Sequence, residues 1–286
     1  MMIEKYKSTV TIAIPTYRRP QLLKRALESV ARQNYDSLEV IVADNATEGK
    51  DVDEIVEAFR GQIENLQYIR HKENIGAIDN FMFCLNQATG DYFMWLADDD
   101  ELAAGSVSAL VGPLDQDSSI VTVVPFWRRM RGPEVGSVVE QRCYESPRAM
   151  LRILKYVWRS NDAFFYAMHR RTALLKCRFS RFIWPNRNTV ADVAYPFLMT
   201  LVILGRIVSV KDRRIEWVNH AYSEKSYANP ERFLPYAGKY LLRRVNLHGI
   251  YLRQIYASFG FLALLPIAPV SAASLTVEFA GLFSRK

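Results

Sequence analysis

Three consecutive aspartates, Asp98, Asp99 and Asp100, directly follow the apolar run at residues 92–97. A run of that length, opened by a glycine–aspartate pair, predicts a buried strand that ends in closely spaced carboxylates. Like charges at this spacing repel one another, so we expect a cation beside them. Carboxylate oxygens suit Mg²⁺ or Mn²⁺, which commonly share their coordination with substrate phosphates. The triplet by itself fits a solvated turn that caps the next helix equally well.

The segments before the triplet alternate between strand and helix patterns. Apolar strands are predicted at 10–14, 38–43 and 66–69, and the segments between them carry apolar residues at helical spacing. This order predicts an α/β fold with a doubly wound, mostly parallel sheet. Ligands of such sheets bind beyond the carboxyl ends of the strands. Polar segments follow the first, second and acidic strands at that edge, which predicts one shared binding site.

The rest of the chain has less regular patterns, which still divide into strands and helices. The predicted strands are 120–126, 164–168, 206–210 and 213–218, and the predicted helices are 147–157, 193–204 and 233–260. The composition changes beyond His220. We therefore expect a main domain at 1–222 and a helical extension at 223–286.

The composition predicts a globular protein with an anionic partner. Half of the 286 residues are hydrophobic, which is ample for a core, and the net charge is +7 with a pI of about 9.3. This charge favours a nucleotide, a phospholipid surface or nucleic acid, and by itself does not choose among them. Nucleic acid is not expected, because the basic residues are dispersed and no recognised motif accompanies them. The three widely spaced cysteines and the absence of a signal-peptide pattern predict a cytoplasmic protein with reduced thiols.

Four segments of the first 105 residues read, in order, VTIAIPTYR at 10–18, LEVIVADN at 38–45, NIG at 74–76 and GDYFMWLADDD at 90–100. As a set they resemble glycosyltransferase family 2, whose fold is called GT-A. The resemblance implies transfer of a sugar from a nucleotide-diphosphate sugar to an acceptor hydroxyl, with inversion at the anomeric carbon. It also implies a nucleotide-sugar half at about 1–105 and an acceptor half at about 106–222.

The resemblance implies that the donor, with a UDP-sugar favoured, lies at the ends of the first strands. Tyr17 would offer an aromatic face to the base, Thr16 would contact ribose or phosphate, and Asp44 would accept a hydrogen bond from a base N–H. An ordinary turn is the alternative for Asp44 and its neighbour. The implied donor-binding residues are Pro15, Thr16, Tyr17, Arg18, Asp44, Asn45, Asn74, Gly76, Asn80 and Asp98.

The implied metal site departs from the family's pattern, because Ala97 occupies the place of its first acid. Asp99 is then the expected ligand of Mn²⁺ or Mg²⁺, and Asp98 contacts ribose or a metal-bound water. Asp100 is a second ligand or the cap of the following helix. His220 is the candidate third ligand, since imidazole suits Mn²⁺ better than Mg²⁺, and a polar loop histidine is its alternative. The metal would neutralise the leaving diphosphate.

Asp192 resembles the family's base, because it precedes an apolar helix that ends at Gly205. A base must lie within about 2.6–3.2 Å of the hydroxyl that it deprotonates. Partial burial would raise the pKa of this carboxyl. The alternative is a helix N-cap for the helix from Val193 onward, and relatives usually carry a further acid where this chain has Ala191.

The C-terminal extension has features that suit a membrane surface. Basic and aromatic residues interleave at 233–255, as in helices that lie on anionic membranes, and a helix packed on the main domain is the alternative. Residues 261–283 are long enough to span a bilayer, but Pro266 and Pro269 favour a membrane-dipping or packed hairpin. With a glycan or lipid-linked glycan as acceptor, we expect a protein at the inner face of the plasma membrane.

Two other functions fit parts of the sequence. A sugar-nucleotide binding module without catalysis is suggested by Ala97 and Ala191, which stand where acids are common. A nucleotidyltransferase would share the sheet and the acidic ligands, but residues 14–20 lack the glycine-rich phosphate loop of such enzymes. We therefore expect a glycosyltransferase of cell-surface polysaccharide or glycolipid biosynthesis.

Overall fold

The computed structural model describes residues 8–131, 134–178, 190–212, 216–220 and 233–284. Two compact units divide the chain: residues 1–143, 163–176 and 207–222 form the first, and residues 144–162, 177–206 and 223–286 form the second. The elements in chain order are β1 (Val10–Thr16), α1 (Pro20–Ala31), β2 (Leu38–Asp44), α2 (Asp51–Phe59), β3 (Asn65–Arg70), α3 (Ala77–Gln87), β4 (Tyr92–Trp95), β5 (Asp100–Leu102), α4 (Ser106–Gln116), β6 (Ile120–Val124), β7 (Phe126–Arg131), β8 (Glu134–Val139), α5 (Ala149–Trp158), β9 (Met168–Arg170), α6 (Arg171–Leu174), α7 (Val190–Leu204), β10 (Arg206–Ser209), β11 (Glu216–His220), α8 (Phe233–Phe259) and α9 (Leu264–Ser284).

A seven-stranded sheet forms the centre of the first unit, in the order β10-β6-β9-β4-β1-β2-β3. β1 pairs in parallel with β2 and β4, and β2 pairs in parallel with β3. β9 runs antiparallel to β4 and β6. The predicted mostly parallel α/β sheet is therefore confirmed, and the parallel strands bring the carboxyl ends of β1, β2 and β4 to one edge.

Local sequence explains why the strands and helices of this unit form where they do. All seven residues of β1 are buried, as expected for a continuous apolar run between two layers of helices. α1 begins at Pro20, whose fixed φ suits the first turn of a helix. Leu23, Leu27 and Val30 then lie at helical spacing on its buried face. These residues form part of one hydrophobic core with the strands.

A smaller sheet with the order β5-β11-β7-β8 lies in the same unit, and the sequence patterns did not predict it. Asp100 opens β5 and pairs with Asn219 of the antiparallel strand β11. The next helix, α4, begins only at Ser106, and its N-cap residue is Gly105 with a φ of +76°. The helix-capping alternative for Asp100 is therefore wrong. Its backbone is used by a strand that pairs with a segment more than 100 residues later.

The predicted strand at 164–168 is also wrong in part. Residues Ala163–Tyr166 form a 3₁₀ turn, and the strand β9 begins only at Met168. Phe165 in the turn stacks on Trp95, with ring centroids 4.5 Å apart. The run is apolar because its turn is buried, and periodicity cannot distinguish a short buried turn from a short buried strand. For the strand predicted at 213–218, the structure has β11 at Glu216–His220, and residues 213–215 lie outside the described part.

The described part of the second unit is helical, and a buried arginine joins two of its segments. Arg152 of α5 donates to the carbonyl oxygens of Val202 and Ile203 in the last turn of α7, at 2.9 and 3.1 Å. It also donates to those of Ser146 and Pro147 before α5. The bonds to Val202 and Ile203 satisfy carbonyl groups that the end of a helix leaves without partners.

The helices α8 and α9 form a hairpin, which we call the C-terminal hairpin. Gly260, with a φ of +78°, and a 3₁₀ turn at Phe261–Ala263 separate the two helices. Arg244 bonds to Glu278 and His248 to Ser271, so the helices run antiparallel. Residues 261–283 therefore do not form the hairpin that the prolines suggested, because Pro266 and Pro269 lie in the first turns of one helix. Residues 261–278 are long and apolar enough to cross a membrane, judged by length and composition only.

Candidate active site

The first two aspartates of the triplet share a cation that belongs to the chain itself. Arg19 Nη1 lies 3.1 Å from Asp98 Oδ1 and 3.5 Å from Asp99 Oδ2. The hydroxyl of Thr16, at the end of β1, donates to Asp98 Oδ2 at 2.8 Å. The Asp98 side chain is 7% exposed, whereas that of Arg19 is 46% exposed. The cation expected beside the triplet is therefore present as a guanidinium, and Arg19 is a site residue that the sequence reasoning missed.

Burial raises the pKa of the Asp98 carboxyl above its usual value, and the negative charge of Asp99 acts in the same direction. The guanidinium of Arg19 and the hydrogen bond from Thr16 act in the opposite direction but do not cancel the effect of burial. The ionised form of Asp98 is thus disfavoured in the folded protein. A further cation at this position would lower the pKa again, because opposite charge stabilises the ionised form.

The three aspartates have different surroundings although they are consecutive. The amide of Asp100 donates to the carbonyl of Ala97 at 3.0 Å, so the chain turns sharply at the triplet. Asp98 is buried against Thr16, Asp99 is partly exposed, and Asp100 is buried at the start of β5. This turn leaves Asp98 and Asp99 together on the Arg19 side.

Backbone register brings His220 close to the triplet. Asn219 of β11 pairs with Asp100 in antiparallel register, so His220 lies one residue beyond that pair, in the direction of Asp99. Its side chain lies outside the described part. No three described His, Cys, Asp or Glu side chains are grouped closely enough to hold a metal ion. Asp98 and Asp99 offer converging carboxylate oxygens, which are the ligands that Mg²⁺ and Mn²⁺ accept.

Asp44 has a fully buried carboxylate whose two oxygens both accept hydrogen bonds. Oδ2 accepts from Arg70 Nε at 2.8 Å and from the Tyr68 hydroxyl at 3.3 Å. Oδ1 accepts from the amide and the hydroxyl of Thr47. A base N–H can reach this carboxylate only if one of these donors moves. The base contact of Asp44 stays a prediction.

The three asparagines of the predicted donor site connect the loops at this edge of the sheet. Asn45 donates to Asn74 Oδ1 at 2.9 Å, and its own Oδ1 accepts from the amide of Ile75 at the same distance. Asn80 donates to the carbonyl of Ala43 in β2 at 2.9 Å. These bonds fix the loop after β3 against the end of β2. In this structure their amide groups position the loops that border the site.

The remaining predicted donor residues shape the loop after β1 and the start of α3. Arg18 has a left-handed φ of +56°, and its guanidinium lies 5.0 Å from the ring centroid of the half-buried Tyr17. Arg18 also forms an ion pair with Glu48 at 2.8 Å. Pro15 pairs with Ala43 within the sheet. Gly76 precedes α3 with a φ of +86°, a conformation that favours glycine.

Asp192 belongs to the second unit and is the third residue of α7, which begins at Val190. The helix thus starts three residues earlier than expected, and the N-cap alternative for Asp192 is wrong. Its side chain lies outside the described part, so its role as the base stays a prediction.

Comparison with known proteins decides the family. Residues 11–179, more than half of the chain, match the model of the family described as Glycosyl transferase family 2. The chain belongs to glycosyl transferase family 2. The match covers the edge with Asp98 and Asp99 and the strands of the central sheet except β10.

Among curated members of this family, the chain is 30% identical over 103 residues to GalNAc(5)-diNAcBac-PP-undecaprenol beta-1,3-glucosyltransferase from Campylobacter jejuni. It is 32% identical over 115 residues to abequosyltransferase RfbV from Salmonella typhimurium. The matches cover 36% and 39% of this chain, and 33% and 34% of those proteins. The matching part therefore spans only about a third of each relative.

Solved structures confirm the GT-A fold for this family 2 member. S. aureus TarS 1–349 in complex with UDP-GlcNAc has a TM-score of 0.61 and 18% identity, covering 96% of this chain and 81% of that one. The mannosyltransferase PcManGT from Pyrobaculum calidifontis, in complex with GDP-Man and Mn²⁺, has a TM-score of 0.54 and 16% identity, covering 96% and 83%. At these identities the likeness concerns the fold alone.

Proposed function

We propose that this chain is an inverting glycosyltransferase that moves a sugar from a nucleotide-diphosphate sugar to an acceptor hydroxyl. The observation that carries the proposal is the pair Asp98 and Asp99, held by Thr16 and Arg19 at the carboxyl edge of a GT-A sheet. Diphosphate departure needs positive charge beside the leaving oxygens. Carboxylates that hold a cation at this edge meet that need.

A UDP-sugar is the donor that we favour. The neighbour TarS binds UDP and UDP-GlcNAc, whereas the neighbour PcManGT binds GDP-Man, so the fold itself accepts more than one base. In the proposed complex the donor lies along the loops after β1, β2 and β3. The ring of Tyr17 contacts the base, and the loops that Asn45, Asn74 and Asn80 hold together form the walls of the site.

Asp99 and Asp98, with His220, would hold Mn²⁺ or Mg²⁺, which supplies the Lewis-acid neutralisation of the departing diphosphate. Asp100 is a weaker candidate ligand because it is buried at the start of β5. Thr16 orients the Asp98 carboxylate by donating to Oδ2, and Oδ1, which accepts from Arg19 in this structure, would be the oxygen that holds the metal ion. Arg19 provides a cation to both carboxylates and must share or release them when a metal ion binds.

The proposed transfer is a single displacement. The acceptor oxygen forms a bond to the anomeric carbon while the bond from that carbon to the diphosphate oxygen breaks, so the configuration inverts. The Asp192 carboxylate takes the proton of the acceptor hydroxyl. The nucleoside diphosphate leaves with the electron pair of the broken bond.

A glycan or lipid-linked glycan is the proposed acceptor, within cell-surface polysaccharide or glycolipid biosynthesis. The name of the Campylobacter jejuni relative describes a protein that acts on an undecaprenol-linked glycan, and the Salmonella typhimurium relative is named as an abequosyltransferase. An acceptor of this kind places the protein in the cytoplasm, at the inner face of the plasma membrane.

A sugar-nucleotide binding module without catalysis is the second candidate. Two observations favour it. The guanidinium of Arg19 already forms ion pairs with Asp98 and Asp99. The chain also has Ala97 and Ala191 at positions where acids are common in the family. Such a module would bind nucleotide without metal and would not transfer sugar.

Calorimetric titration with UDP, GDP, CDP and dTDP, each with Mn²⁺ and with EDTA, tests the donor site. Metal-dependent binding of one nucleotide supports the transferase, and metal-independent binding favours the module. Donor binding and sugar transfer are then compared between wild type, Asp99→Asn, Asp192→Asn and the exposed control Asp36→Asn. We expect Asp99→Asn to lose donor binding, and Asp192→Asn to keep binding but lose transfer. Transfer at the wild-type rate by Asp192→Asn would exclude it as the base.

A further inference from the structure

The turn of the C-terminal hairpin exposes five large apolar side chains within ten residues. Tyr256, Phe259, Phe261, Leu262 and Leu265 are each between 45% and 76% exposed. We call residues 256–265 the hairpin tip. Proteins that stay in water rarely leave a contiguous apolar surface of this kind uncovered, and such a surface marks a place of contact.

The exposed apolar surface continues along α8 away from the hairpin tip. Leu242 and Val245 are exposed and Leu252 is half-buried, and they continue the face of Tyr256 and Phe259 at spacings of three, four and seven residues. The opposite face of α8, with Leu247, Tyr251 and Ile255, is buried. α8 is therefore apolar on two faces, and the part of the chain that the structure describes covers one of them.

Several serine and threonine hydroxyls of the tip and of α9 donate hydrogen bonds within the protein. The Ser258 and Thr276 hydroxyls donate to the carbonyls of Gln254 and Ala272, four residues earlier in their helices, at 2.9 and 3.0 Å. Ser274 donates to the carbonyl of Trp158 at 2.8 Å. Helix α9 contains one charged residue, Glu278, whose carboxylate bonds to Arg244. An apolar medium requires such internal pairing, whereas water does not.

Charges beside the hairpin tip are of one sign. Residues 233–277 contain four Lys or Arg residues and no Asp or Glu. The exposed Arg253 lies six residues before Phe259, which is about 9 Å along a helix. With the axis of α8 steeply inclined to the bilayer, a Phe259 side chain at the depth of about 5–10 Å that interfacial apolar faces reach would place Arg253 among the headgroups. The net charge of +7 adds attraction to anionic lipids.

A second copy of the chain fits this surface less well than a lipid surface does. Helices that pair through apolar stripes usually carry flanking charges of opposite sign, which set their register. The hairpin has one acidic residue, Glu278, and it is already paired with Arg244 of the same copy, so two copies would meet without opposite charges to set their register. A partner helix along α8 would also leave Phe261 and Leu262, which follow the end of that helix, in water.

We propose that the hairpin tip inserts into the interface of an anionic lipid bilayer. The tip's aromatic and leucine side chains enter the acyl boundary, and Arg253 contacts the headgroups. The biological purpose of this insertion rests on the proposed function, since a lipid-linked acceptor presents its hydroxyl close to a bilayer. Binding to lipid itself needs neither donor nor acceptor.

Vesicle flotation of the full chain tests the proposal, with phosphatidylcholine vesicles and with vesicles of equal parts phosphatidylcholine and phosphatidylglycerol. We expect the wild type to bind the anionic vesicles, and the double variant Phe261→Ser/Leu262→Ser to bind at least tenfold more weakly. The matched control is Leu151→Ser/Leu175→Ser, which removes two exposed leucines outside the hairpin and should bind like the wild type. Thermal unfolding checks that both variants are folded.

A second measurement locates the inserted residues directly. Brominated lipid should quench the fluorescence of the tryptophan added in Phe261→Trp more than that of the one added in Leu175→Trp. Each is measured as the change from the wild type, which has five tryptophans. Arg253→Gln should lower the preference for anionic vesicles. Failure of the wild type to bind either vesicle would overturn the proposal, as would equal binding by the tip variant. Sedimentation that shows a dimer dissociated by the tip substitutions would assign the surface to a second copy instead. Nucleotide calorimetry on the tip variant separates the two proposals, because donor binding should be unchanged.

Discussion

Replacing Asp98 with asparagine should separate the contribution of this residue to stability from its contribution to donor binding. The amide has the shape of the carboxylate, so one oxygen can still accept from Arg19, and the Thr16 hydroxyl can reverse to accept from the new amide group. What the substitution removes is a buried negative charge.

The stability effects of the substitution nearly cancel. The ion pair with the half-exposed Arg19 contributes about 1 kcal/mol or less after allowance for solvent screening. Burial raises the pKa of Asp98, which means that its ionised form is disfavoured in the folded state. When a carboxyl pKa is higher in the folded state than in the unfolded state, the protein loses stability as pH rises from the unfolded-state pKa toward the folded-state pKa. The neutral amide of asparagine does not titrate, so the variant does not lose stability in this way. We expect the free energy of unfolding to change by less than about 1 kcal/mol, or a Tm shift of at most roughly 2–4 °C.

Donor binding should respond much more strongly. If Asp98 helps to hold the cation that faces the diphosphate, metal-dependent nucleotide binding should weaken at least tenfold, which corresponds to about 1.4 kcal/mol. Thermal unfolding and nucleotide calorimetry with Mn²⁺ measure the two effects on one preparation. Asp36→Asn, the same change at an exposed loop position, is the control. A large fall in Tm would show that the carboxylate is mainly structural, and wild-type affinity would remove Asp98 from the donor site.

Three further predictions concern residues that stabilise the fold. Burial alone would raise the pKa of Glu39, but hydrogen bonds from Thr11 and Thr89 outweigh burial and lower it. The ionised carboxylate therefore stabilises the fold, and this stabilisation should disappear as pH falls below about 4.5. Acid titration should show a smaller loss of unfolding free energy for Glu39→Gln than for the wild type. Arg152→Met should lower the free energy of unfolding by about 3–5 kcal/mol in denaturant titration, because four backbone carbonyls lose a buried charged donor. The control Arg148→Met, at an exposed position, should change the free energy of unfolding little. Gly90→Ala should destabilise the protein by about 1–3 kcal/mol, since the new Cβ would lie 2.8 Å from the amide nitrogen of Thr11 and 2.9 Å from the carbonyl oxygen of Tyr92. In the control Gly61→Ala the new Cβ has nothing within 4 Å, so the stability should not change.

The order of strands and helices up to the end of β4 was predicted from the sequence. Apolar runs, helical spacing and Pro20 are local signals, and each acts within one element. The sequence also indicated the edge of the sheet at which the polar segments meet, because parallel strands share the direction of their carboxyl ends. The 3₁₀ turn at Ala163–Tyr166 was missed because a buried turn and a buried strand have the same apolar composition.

Partners of the acidic groups were not readable in the same way. Arg19 lies 79 residues from Asp98, and Arg70 lies 26 residues from Asp44, so no local pattern connects them. The three aspartates of the triplet look alike in sequence, yet a turn and the pairing of β5 with β11 give them different surroundings.

The sequence by itself therefore determined the α/β fold, its family and the edge of the sheet that carries the site. Periodicity and turn residues act over a few positions, and they are sufficient for those conclusions. Only the tertiary structure decided that Arg19 pairs with Asp98 and Asp99, that Asp44 is enclosed by its own neighbours, and that the hairpin tip is exposed. Those outcomes depend on which distant segments meet when the sheets close and the helices pack, and this is set by the whole chain rather than by any stretch of it.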